Sequence, residues 1–165
     1  MQNLRLLLPA VVIAAVLAVS CSKKEEPVEN SVTLAVSDSA KPGWLTSYEQ
    51  AQKEAQSGNK LLLMDFTGSD WCGWCMRLEA EVFSKPEFAE YAKQNLVLMT
   101  VDFPRAKPLS NEVRRQNRAL AEKYGIEGFP TIVVLNGDGK PIGAFGYQPG
   151  GPGAFIEELK KLPKG

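Results

Sequence analysis

The sequence predicts an α/β fold, a central mixed sheet flanked by helices on both faces, and three features carry that expectation. Short apolar runs without polar alternation, Lys60 to Phe66, Leu96 to Asp102 and Thr131 to Leu135, suit strands buried on both sides. Segments with helical composition separate them, long enough to serve as crossover connections. After the third run, Asn136-Gly-Asp-Gly139 is a hairpin turn, which makes the strand that follows, Pro141 to Tyr147, antiparallel. A chain of 165 residues with 44% apolar content fits one domain with a real core.

The chain opens with a short basic start, Met1 to Arg5, and then 14 residues without a charge, Leu6 to Val19. A spanning helix needs roughly 20 apolar residues, so the run reads as the core of a signal peptide and the protein as exported. It ends in Ala18-Val19-Ser20-Cys21, small residues directly before a cysteine. That ending resembles the lipobox of bacterial lipoproteins, which implies lipidation of Cys21 and a membrane-anchored protein facing the periplasm. Ala18 stands where a leucine is commonest, and ordinary cleavage or an uncleaved anchor are the alternatives. Residues 1–21 are thus the expected signal peptide. Residues 22–43, rich in Ser, Lys, Glu and Pro, bury too little to offset the entropy of ordering and read as a flexible linker. Within them Val32 to Val36 has some strand character, that of a short edge strand. The domain itself is expected over 44–165.

Inside the domain, Thr46 and Ser47 with Glu49 and Gln50 have capping-box spacing, and good helix formers follow to Gln56, with Gly58 as the stop. Helical character resumes after Trp71. Ser84-Lys-Pro-Glu87 has capping-box spacing with Pro86 early in the next helix, which runs to about Gln94. Pro104 to Pro108 breaks the chain, Asn111 to Tyr124 reads as an Arg-rich helix ending at Gly125, and Ala154 to Leu162 closes the chain as an amphipathic helix.

Composition excludes several classes of chemistry. There is no histidine, which removes His-based triads, His metal ligands and covalent haem attachment. Nineteen basic residues balance nineteen acidic ones, so there is no electrostatic reason to expect nucleic acid as a partner. Of three cysteines, two remain in the domain, in Cys72-Gly73-Trp74-Cys75, where a buried strand gives way to a helix. Free N–H groups at a helix start stabilise a thiolate, so Cys72 is the better nucleophile. Cys75, one turn on, is placed to attack a mixed disulfide formed at Cys72. A zinc half-site is a second reading, though no further Cys pair and no His completes it, and a structural disulfide is a third.

Trp71-Cys-Gly-Trp-Cys75 after the strand Leu61 to Phe66, followed by Tyr124-Gly-Ile-Glu-Gly-Phe-Pro-Thr131, resembles the thioredoxin family. The match covers about residues 44–162, and the two motifs stand about 55 residues apart. The resemblance implies a thioredoxin-like fold and a monomeric thiol–disulfide oxidoreductase acting on protein disulfides outside the cytoplasm, without cofactor or metal. It implies further that Pro130 is in cis facing the disulfide, and that Trp71, Gly73, Trp74, Phe129 and Pro130 form the substrate-facing surface. Protein thiols and disulfides are the expected partners, with a membrane thiol carrier as electron donor. Asp65 matches the family's buried acid, which assists proton transfer from the resolving cysteine, or else it supports the turn at the strand end.

This sequence also departs from the family. Asp65 stands seven residues before Cys72, one more than in thioredoxin itself, so the loop Thr67-Gly-Ser-Asp70 is longer by a residue. Leu98 occupies the place of the lysine that usually accompanies the acid. Trp74 replaces the proline between the cysteines, as in exported thiol reductases of this type. The segment Phe103 to Ala119 is longer than the thioredoxin connection, and its Arg105, Arg114, Arg115 and Arg118 either dock a partner or form a solvated helix face. A tethered module that holds a peptide or an assembly partner without turnover is the alternative function.

Overall fold

The computed structural model describes residues 41–163. The expected signal peptide, the lipobox with Cys21 and the strand character at Val32 to Val36 lie outside them. Among the described residues a single sheet runs in the order β1-β3-β2-β4-β5, formed by Trp44–Leu45, Leu96–Asp102, Leu61–Thr67, Thr131–Leu135 and Pro141–Phe145. β1, β3 and β2 are parallel, and β4 and β5 are antiparallel to their neighbours, as the hairpin turn requires. The turn is closed by the Asn136 side chain, whose Oδ1 accepts from the amides of Asp138 and Lys140.

Among the described residues five helices cover the sheet: α1 (Tyr48–Gly58), α2 (Gly73–Leu78), α3 (Pro86–Asn95), α4 (Asn111–Lys123) and α5 (Gly151–Lys161), with a π-helical turn, Glu79–Phe83, directly after α2. Ser47 caps α1, its side chain accepting from the Gln50 amide at 3.3 Å, and Ser110 caps α4 in the same way. The stop of α1 falls one residue beyond Gly58, at Asn59 in the left-handed region with φ 49°. The capping box expected at Ser84 does not form: Lys85 takes the N-cap position without a side-chain bond, Pro86 opens α3, and the Ser84 hydroxyl donates to Ala80 O in the preceding turn.

Alternation along β2 decides what each residue meets. Leu62, Met64 and Phe66 enter the core beneath α1 and α4 with Ala51, Ala55 and Leu120. Leu63 enters the opposite core with Leu78, Val82, Phe83, Phe88, Phe155 and Leu159. The rings of Phe83, Phe88 and Phe155 stand 5.1–5.8 Å apart in that second core, and burial of each such side chain is worth about 1.5–3 kcal/mol. By the same alternation Asp65 and Thr67 point toward the α2 side. The fold therefore aims the lone carboxylate of an apolar strand at the helix that carries the cysteines.

Candidate active site

Cys72 and Cys75 are joined by a disulfide, Cα to Cα 5.2 Å, and both are buried. Cys72 is the N-cap of α2, and its sulfur accepts a hydrogen bond from the Cys75 amide at 3.2 Å. An N–H that would otherwise lack a partner at the helix start is thus aimed at the first sulfur. Gly73 and Trp74, between the cysteines, are exposed. The Trp74 ring leans on Tyr147 at 5.2 Å, and Tyr147 in turn donates from its hydroxyl to Glu81 at 2.6 Å.

The motif around Pro130 meets this loop through aromatic rings. Trp71 packs edge-on to Phe129, centroids 5.8 Å apart, and the Phe129–Pro130 bond is cis. Trp71 is held on its other sides by the bond from its Nε1 to Phe103 O at 2.8 Å and by the Arg105 guanidinium 4.1 Å from its ring centroid. The indole lies so close over Gly68 that a Cβ there would stand 2.5 Å from the ring, which is why that position holds glycine.

Behind the disulfide is a cavity of about 430 Å³ lined by Asp65 and Cys75 together with Lys41, Glu79, Thr100 and Asp102. Asp65 is 4% exposed, and one of its carboxylate oxygens, Oδ1, has no hydrogen-bond partner among the described residues. Burial pushes its pKa up to about 7; the positive charge of Lys41 opposes that, while Glu79 and Asp102 add to it. Lys41 Nζ stands 3.8 Å from Asp65 Oδ2 and also bonds the Glu79 carboxylate. Its charge is divided between two acids and is partly open to solvent, so burial wins at Asp65. The cation beside Asp65 is thus Lys41, from the end of the expected linker. Leu98 lies two register positions from the strand partner of Asp65, which is Thr100.

Asp70, five residues on, has a different environment. Its carboxylate accepts from the amides of Arg105, Ala106 and Lys107 at 2.7–3.2 Å, which holds its pKa below the ordinary carboxylate range. Beside it, Asp102 accepts from the amide and hydroxyl of Ser69 at 2.9 and 2.6 Å. The lengthened loop before Cys72 and the lengthened connection after β3 are thus tied to each other.

The structure brings Cys72, Cys75, Asp65, Trp71, Gly73, Trp74, Phe129 and Pro130 into one region. The sequence reading did not single out Lys41, Glu79 or Asp70. Lys41 had no local signal, since it sits in a segment of linker composition; Asp70 had one, a carboxylate within the loop that is a residue longer than thioredoxin's.

The chain matches the thioredoxin-like domain family over residues 48–162. It is 33% identical over 118 residues to the disulfide bond reductase DsbH of Chlamydia pneumoniae, covering 72% of this chain and 71% of that protein. It is 30% identical over 119 residues to the thiol:disulfide interchange protein DsbD of Photorhabdus laumondii, spanning 70% of this chain but 19% of that one. A solved structure of a DsbH oxidoreductase aligns with TM-score 0.68 over 71% of this chain and 81% of that chain, at 33% identity. The chain belongs to the thioredoxin family. With its Cys72–Cys75 disulfide on this fold, it is a thiol–disulfide oxidoreductase.

Proposed function

We propose that the protein reduces protein disulfides outside the cytoplasm, with Cys72 attacking, Cys75 resolving and Asp65 taking the proton of the resolving thiol. The observation that carries the reading is the cavity shared by Asp65 and Cys75 behind a disulfide whose first cysteine caps a helix. In the reduced protein the Cys72 thiolate attacks one sulfur of the substrate; the substrate disulfide breaks, a Cys72–substrate disulfide forms, and the released thiolate takes a proton from water. The Cys75 thiol then gives its proton to the Asp65 carboxylate and attacks the Cys72 sulfur. The mixed disulfide breaks, the second substrate thiolate leaves, and two electrons have passed to the substrate. What remains is the Cys72–Cys75 disulfide. A base whose pKa lies near 7 both accepts and releases a proton at neutral pH, which suits a group used once in each cycle.

Trp71, Gly73, Trp74, Phe129 and Pro130 form the surface that meets the substrate chain, with the backbone before Pro130 free to pair with it. The exposed Gly73 and Trp74 and the contact between Trp71 and Phe129 support this. The relationship to a protein named as a disulfide bond reductase supports the direction of electron flow. A membrane thiol carrier restores the dithiol, and a lipid on Cys21 holds the monomer at the membrane, with the expected linker of residues 22–43 between the anchor and the domain. The uncharged run before Cys21 supports that anchor. Among the described residues no helix is long and apolar enough to cross a membrane.

Two measurements test the reading: reduction of insulin by dithiothreitol with and without the protein, and the equilibrium potential of the Cys72–Cys75 couple against glutathione. A reductase accelerates the first and has a potential near about −270 mV; a value near about −120 mV would make it an oxidant. No acceleration would favour the peptide-holding module.

A further inference from the structure

We propose that the cleft between the Phe103–Ser110 connection and α4 docks an acidic segment of the polypeptide whose disulfide is exchanged. The proposal rests on the oxidoreductase reading and adds to it the chemistry by which a substrate is chosen. The cleft has a volume of about 520 Å³, and Arg105, Lys107, Arg114 and Arg118 line it together with Leu109 and Asn117. None of the four cations makes an ion pair with a carboxylate among the described residues. Asp102 is the one acid in the lining, and Ser69 occupies both of its oxygens. Residues 103–118 hold five basic side chains and one acid, Glu112, in a chain whose total charge is zero. Positive charge is therefore concentrated here, and among the described residues no side-chain carboxylate pairs with it.

The cleft is also held in shape. Asp70 fixes three consecutive amides of the connection, Arg114 Nη2 donates to Leu109 O at 3.1 Å, and Asn117 Nδ2 donates to Asp102 O at 2.9 Å. Less side-chain freedom then remains to be lost when an anion binds. One end of the cleft adjoins the disulfide loop, because Arg105 lies over Trp71 and Trp71 precedes Cys72. An acidic stretch seated among the four cations thus runs toward the exchanging sulfurs. A recess of this kind follows a polypeptide better than the flat face of an anionic bilayer.

The test is fluorescence anisotropy of the full-length protein with a labelled cysteine-free peptide rich in Asp and Glu, against the same peptide with Asn and Gln in their place. The acidic peptide is expected to bind about tenfold more tightly at low salt, with the preference fading as salt rises. R114E/R118E should abolish the preference. R118E alone, whose side chain makes no hydrogen bond or ion pair among the described residues, should reduce it about threefold without disturbing the connection. Equal affinity for the two peptides, a preference unchanged in R118E, or binding to anionic vesicles but not to the acidic peptide would overturn the proposal. Because these peptides carry no sulfur, the result is independent of turnover; failure of the wild-type protein to reduce a neutral disulfide peptide would instead count against the oxidoreductase reading.

Discussion

Asp65 and Asp70 lie in one stretch of chain before the same cysteine, and their surroundings drive them to opposite behaviour. Asp65 projects from the middle of a buried strand, with one oxygen unpartnered and a shared lysine nearby, and its pKa rises to about 7. Asp70 projects from a loop, receives three backbone amides, and stays ionised well into acid. A carboxylate that exchanges a proton near neutrality suits catalysis; one that keeps its charge suits holding a loop in place. The residue type is the same, and burial and hydrogen bonding set the two pKa values apart.

The largest expected effect comes from removing the proposed proton acceptor. Asp65→Asn should slow resolution of the mixed disulfide by about 100-fold, so that a Cys72 adduct builds up in stopped reactions of the otherwise intact protein. An unchanged resolution rate would mean that Asp65 only supports the strand end.

Stability gives a second way to separate the two acids. Because the Asp65 pKa is raised from 3.8 to about 7, the folded protein keeps a proton between those values that the unfolded chain releases. The stabilising contribution is therefore complete below about pH 4 and lost as pH rises through about 7. In urea titrations Asp65→Asn should remove that slope and leave the protein more stable than wild type above pH 7, by about 2–4 kcal/mol. Parallel pH profiles for the two proteins would contradict this. Asp70, with its lowered pKa, has the opposite sign: its contribution is present above the ordinary carboxylate range and lost as pH falls through the lowered value.

Smaller effects sharpen the comparison. Lys41→Met takes away the positive charge that opposes burial at Asp65 and leaves Glu79 uncompensated, so the pH profile of the resolving step should move toward alkaline pH. A profile that stays in place would show that Lys41 does not tune Asp65. Asp70→Ala should leave that profile unmoved but speed amide exchange at Arg105, Ala106 and Lys107. Retained protection at those amides would show that the connection is held by other contacts.

Much of this was legible in the sequence because the signals were local. Strands buried on both faces leave no room for polar residues, so β2, β3 and β4 appear as apolar runs, and a single carboxylate inside one of them, Asp65, stands out. The cysteine spacing and the residues around Pro130 fixed the family. What stayed hidden depends on contacts between distant parts of the chain. Lys41 lies in a stretch whose composition says only that it lacks a core, and its pairing with Asp65 spans 24 residues. Gly68 reads as an ordinary loop glycine until the Trp71 indole is placed above it. The Ser84 capping box failed because its hydroxyl found a carbonyl in the π-helical turn, which no periodicity announced.

The division of labour between the two sulfurs is tested most directly by mass spectrometry of Cys75→Ser and Cys72→Ser proteins mixed, in reduced form, with a disulfide peptide. Cys75→Ser should accumulate a stable adduct of one peptide chain on Cys72, and Cys72→Ser should accumulate none. An adduct that forms on Cys75 in the second variant, or fails to form on Cys72 in the first, would contradict the assignment.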